Sequence, residues 1–366
     1  MKKIVWLVLL IVSINVAAQE PIAIGCDPAA LKTQPGKWLP QPKDAVTGEP
    51  YRPAAADIAG AKKIMNRVQQ LFQEQYQPIG MDAYHYHHFM NDYFPGSSAY
   101  GNRYTYTIRN FPLYCLNGKK QTSAEGTGSF IHINRGGTLY NEFSEIPVYD
   151  EDGKINKEAG KRGGFYYLTS IECKGGKLPD FTNGYLICDD DTWYSVWITH
   201  EGKQPFRYVS RKEFLEKQVA IHQAELKDLN EYYASAEGKE MMKLLESLGQ
   251  KEEGEKGKKL ALSMQQKPLE AYRQDLKKDA AWLNEMAIVK FELGKGLSRF
   301  VFTTLDDGGM SVPIMPNPDY YNRKLPKWAP QFILIDIGGA KKNFGKSLRK
   351  IIDNNIEFFK NLLVNK

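Results

Sequence analysis

The sequence predicts an α+β fold: an antiparallel sheet packed by an N-terminal and a C-terminal helix, with a long helical-hairpin excursion. Three observations lead there. Tyr104-Thr105-Tyr106-Thr107-Ile108 alternates with the two-residue period of a half-buried strand, and Asn117-Gly118, Asp152-Gly153 and Asn183-Gly184 mark tight turns around similar runs. Apolar residues recur at helical spacing near both ends of the chain. Leu215, Val219, His222, Leu226, Leu229 and Tyr233 step by four, three, four, three and four, a heptad seam interrupted by one histidine.

In chain order, Met1-Lys2-Lys3, the apolar run Ile4 to Val12 and the small residues up to Ala18 form a secretory signal pattern. Cleavage is expected near Ala18/Gln19, giving a secreted or periplasmic protein. Ala23-Ile24-Gly25-Cys26 resembles a lipobox, but Glu20 and Pro21 separate it from the apolar run, which argues against a lipid anchor at Cys26. Residues 19–53, with Pro28, Pro35, Pro40, Pro42, Pro50 and Pro53, read as an extended arm.

A helix is expected from about Ala54 to Gln77, with Ile58, Ala61, Met65, Val68, Phe72 and Tyr76 on one face, stopped by Pro78 and Gly80. Strands fill the block up to Val209. Ser210 and Glu213 form a capping box at the start of the excursion, residues 211–283, whose lysine- and glycine-rich centre, Lys251 to Lys259, reads as a solvated loop. The sheet pattern resumes from residue 284, so 54–210 and 284–366 form one discontinuous core. Phe332 to Ile337 reads as a buried strand, and Leu348, Ile352, Ile356, Phe359 and Leu363 as the inner face of a closing helix.

Composition narrows the function. Apolar and charged contents of 42% and 25% are those of a globular domain. The net charge of +6, or +4 without Lys2 and Lys3, is dispersed among acids, which argues against nucleic acid. No second segment is apolar enough for a transmembrane span. Four cysteines in an exported chain permit two disulfides; Cys173 and Cys188 flank a hairpin and are the expected pair.

Candidate sites are few. His85 and His87 share one face of a strand, and His132 is the natural third ligand for zinc. Tyr104, Tyr106, Trp193 and Trp197 are candidates for a glycan or partner surface, because aromatic rings with polar tips suit such contacts. Ala340 to Ser347 fits a permissive phosphate-loop pattern, but too little chain follows to complete a nucleotidase. No serine-hydrolase elbow is present; Gly126-Thr127-Gly128-Ser129 is a near miss. The preferred expectation is a non-catalytic envelope protein that binds a protein or glycan. The alternative is a metal-assisted hydrolase centred on His85 and His87.

Overall fold

A computed structural model describes residues 26–48, 52–90, 101–134, 140–141, 165–168, 178–189, 193–292, 298–308 and 310–364. The expected signal peptide and Cys173 lie outside them. The described residues combine helices with a mixed sheet, the α+β class.

The main sheet has eight strands: β1 (Ala45–Val46), β2 (Met81–Met90), β3 (Arg103–Leu116), β4 (Lys119–Thr122), β5 (Thr127–Ile133), β8 (Tyr185–Asp189), β9 (Trp193–Ile198) and β14 (Ile333–Gly338). Its order is β1-β2-β3-β5-β14-β9-β8, with β4 paired to β3. All pairings are antiparallel except β1 with β2, so the sheet is mixed where the sequence suggested a purely antiparallel one. The exception comes from the proline-rich arm, which runs beside β2 and pairs Ala45 and Val46 with His88 and Phe89. An edge that would otherwise offer unpaired backbone groups is thereby covered.

One side of this sheet meets helices. Helix α2 (Ala55–Gln75) supplies Ile64, Met65, Val68 and Phe72, and α7 (Asn343–Asn354) supplies Phe344, Leu348 and Ile352. These meet Tyr104, Tyr106 and Ile108 of β3, Ile131 and Ile133 of β5, Val196 of β9, and Ile333, Ile335 and Ile337 of β14 in one buried cluster. The closing helix breaks at Asn355; the short α8 (Ile356–Lys360) then seats Phe359 in the same core.

Part of the opposite side meets a second sheet, ordered β10-β13-β7-β6, from β6 (Tyr140–Asn141), β7 (Tyr166–Leu168), β10 (Phe206–Tyr208) and β13 (Val312–Pro316). Phe206, Val312 and Ile314 pack there on Leu186, Trp197 and Leu334. A hairpin of β11 (Val289–Glu292) and β12 (Arg299–Phe302) borders a third cluster.

Residues 211–284 hold four helices: α3 (Arg211–Ala234), α4 (Ala236–Ser247), α5 (Lys251–Asp275) and α6 (Ala280–Asn284). The expected capping box closes: Glu213 N–H donates to Ser210 Oγ at 3.2 Å, and Ser210 N–H donates to Glu213 Oε2 at 3.1 Å. The lysine-rich stretch is a correction, because Lys251 to Lys259 is helical rather than a loop. Its glycines lower helix propensity, but α4 packs on this segment, and such packing outweighs propensity. Buried residues of α3 and α5 are confined to the base: Phe214, Leu215, Gln218, Pro268, Leu269 and Tyr272.

Cys26 and Cys115 are joined by a disulfide, so the Cys26 sulfur is not available for a lipid thioether. Cys188 is also disulfide-bonded, and Cys173, its expected partner, lies outside the described residues.

Candidate aromatic binding face

Strand alternation decides which side chains can meet. On β2, His85, His87 and Phe89 point toward α2, whereas Asp82, Tyr84, Tyr86 and His88 point to the opposite side. Register carries this across the sheet. His87 pairs with Tyr106, which pairs with Ile131, all on the helix-covered side; His88 pairs with Thr105, which pairs with His132, all on the other.

The zinc set is therefore corrected. His132 stands on the opposite side of the sheet from His85 and His87, because it is one residue out of phase with Ile131. His85 and His87 are only 4% and 3% exposed, which closes them to a substrate. His85 Nε2 lies 3.0 Å from the Gln73 amide nitrogen, and His87 Nδ1 lies 3.3 Å from Asp44, itself 2.7 Å from Lys62. Burial pushes the His85 imidazole down to about 4 and lowers that of His87 as well, so both are neutral at pH 7. Among the described residues, no three His, Cys, Asp or Glu side chains are placed to share a metal ion.

His132 belongs to a different chain of contacts. Thr105 Oγ1 is hydrogen-bonded to His132 Nδ1 at 2.9 Å, His132 Nε2 lies 3.8 Å from Asp336, and Ser195 Oγ donates to Asp336 at 2.5 Å. Serine, histidine and aspartate are all present, but Asp336 holds the serine and the histidine does not. All four residues are at most 6% exposed and lie on the side of the sheet away from α2.

The expected aromatic surface also changes membership. Tyr104 and Tyr106 are buried beneath the helices, and Trp197 is buried beneath the second sheet, with its ring stacked on Phe332. Trp193 is half-buried, on the side facing away from the helices.

A different set of rings occupies that side. Tyr84, Tyr86, Phe111 and Phe130 are half-buried, and the principal elements packed on β2, β3 and β5 are strand neighbours, the short helix α1 (Pro28–Leu31) near the disulfide, and α2 on the other side. Tyr84 lies 5.0 Å from Phe111 and 6.1 Å from Tyr86, centroid to centroid, and Phe130 stacks on His132 at 5.5 Å. Two glycines make room for the phenylalanines. A Cβ at Gly126 would fall 2.7 Å from the Phe111 ring, and one at Gly128 would fall 2.5 Å from the Phe130 ring. Both rings thus lie close over bare backbone. The row Tyr84, Arg109, Gly128 continues through Gly338 to Trp193, and its two glycines leave room that neighbouring side chains fill, Phe130 over Gly128 and Thr127 and Trp193 over Gly338. The Arg109 guanidinium sits 5.7 Å from the Phe130 ring centroid.

Of the four rings the sequence offers for a surface, Tyr104, Tyr106 and Trp197 are buried and Trp193 is half-buried. The usable signal was Gly126 and Gly128 next to Phe130, together with the polar phase of β3, namely Arg103, Thr105, Thr107 and Arg109. Comparison of the chain with known protein families, curated proteins and solved structures finds no match.

Proposed function

We propose that the chain is an exported, non-catalytic binding protein that engages a glycan through the aromatic face of Tyr84, Tyr86, Phe111, Phe130 and Arg109. One observation carries this reading: a contiguous group of half-buried rings beside a cation on a glycine-relieved side of the sheet. Flat rings cover the apolar faces of sugars, and tyrosine hydroxyls supply the polar contacts that sugars require. The Tyr84 and Tyr86 hydroxyls make no hydrogen bond with the described residues, so both can meet a ligand. The disulfide of Cys26 with Cys115 supports an oxidising compartment, in keeping with the signal pattern at the amino terminus. In this reading the N- and C-terminal helices brace the core from behind, and the helices of residues 211–283 are an excursion from it.

The test is a screen of envelope and extracellular glycans against the mature protein, scored by melting temperature, because a ligand of the native state raises it. Tyr84→Ala and Phe130→Ala are expected to abolish the shift. A shift that persists in both variants would place the site elsewhere.

A second reading, protein binding by the helical excursion, also has an observation behind it. Leu244, Leu248, Leu260, Met264 and Tyr232 are five of the nine exposed large hydrophobics among the described residues. Leu244→Glu with Leu248→Glu should leave stability unchanged and abolish capture of a protein partner; unchanged capture removes this reading.

A further inference from the structure

From the charge on this face, and resting on the glycan reading above, we infer that the ligand is an acidic sugar whose carboxylate is taken by Arg109. Arg109 stands between Tyr84 and Gly128 in register, two positions that bring no charge. Among the described residues its ring partner is Phe130, and no carboxylate lies within ion-pairing distance of it.

The acids nearest in the strand pattern are already engaged. Asp82, on the same side of β2, accepts the Lys37 N–H at 2.9 Å with one oxygen and the Thr122 hydroxyl at 2.8 Å with the other. Asp336, on β14, accepts from Ser195 and faces His132. Arg109 is thus a half-buried fork of donors beside a ring, with no anion of the described residues to claim it. A guanidinium so placed pairs in bidentate fashion with a planar carboxylate, and the ring beneath restricts its orientation. Tyr84 is the cross-strand partner of Arg109, and Phe111, two residues along β3, lies 5.0 Å from the Tyr84 ring, so a uronate or sialate stacked on these rings brings its carboxylate toward Arg109. A neutral sugar would stack on the same rings and leave the cation unpaired.

The experiment uses matched pairs on the mature, oxidised protein: oligogalacturonate, oligoguluronate and a sialylated oligosaccharide, each beside its carboxyl methyl ester. Titration calorimetry at low and high salt reads both members of each pair. The inference expects at least one acid to bind about 10- to 100-fold more tightly than its ester, the worth of one charge-assisted contact. That advantage should shrink with added salt and vanish in Arg109→Gln, whose melting temperature serves as the folding control. An ester that binds as tightly as its acid overturns the acidic-sugar inference and leaves the aromatic face standing. Failure of every acid and every ester to bind overturns both.

Discussion

The two sides of the main sheet use similar residues for opposite ends. Toward α2 and α7, Tyr104 and Tyr106 are buried with their hydroxyls pushed to higher pKa by burial, and they pack as core. On the other side Tyr84 and Tyr86, one strand away, remain half-buried, Tyr84 in a row with Arg109 and two glycines and Tyr86 in the row of Thr107 and Phe130. Tyrosine content therefore says little about binding; the phase of the strand and the layer facing it decide whether a ring holds the fold or meets a ligand.

The largest contrast should appear in stability. Ile335→Ala, beneath the helices, should cost about 2–5 kcal/mol in urea unfolding, whereas Tyr86→Ala should stay within about 1 kcal/mol. Equal losses would mean that the second side is also packed core.

Acid should act next, and on the helix-covered side. His85 and His87 have folded-state pKa values below the ordinary 6.5, so the unfolded chain binds more protons than the folded one as pH falls from about 6.5 toward 4. Stability should be highest above that window and decline through it, by up to about 1.4 kcal/mol per pH unit for each histidine. The charged groups acting on the pair are Asp44 from the arm and Lys62 from α2, and Asp44 moderates the loss by favouring protonation. In His85→Leu the decline should be shallower; an identical pH profile would show that His85 is not the titrating group.

A smaller effect is expected at Gly128. In Gly128→Ala the new methyl displaces the Phe130 ring, at a cost of about 1–3 kcal/mol together with weakened glycan binding. Unaltered affinity would show that the seating of Phe130 does not matter to the ligand.

Much of the scaffold was legible in the residues. The apolar spacing of α2 locates its buried face, the Ser210 and Glu213 pair locates the start of α3, and the β-branched run at Ile333 locates the central strand. Other features required the tertiary structure. Alternation along β2 is ambiguous because Tyr84, Tyr86 and Phe89 place rings on both sides, and only the cross-strand register shows that His132 faces away from His85. Lys251 to Lys259 carries two glycines and a run of mixed charges that reads as a loop in isolation, yet packing by α4 makes it helical. The parallel pairing of Ala45–Val46 joins distant segments, which local periodicity does not encode.

The most direct test of the account is the affinity of Tyr84→Ala measured beside that of wild type for whichever glycan the screen identifies. The account predicts an unchanged unfolding midpoint and at least a roughly tenfold loss of affinity, the worth of one stacked ring. Wild-type affinity in a correctly folded Tyr84→Ala would contradict it, and the aromatic side of the sheet would then be half-buried packing without a ligand.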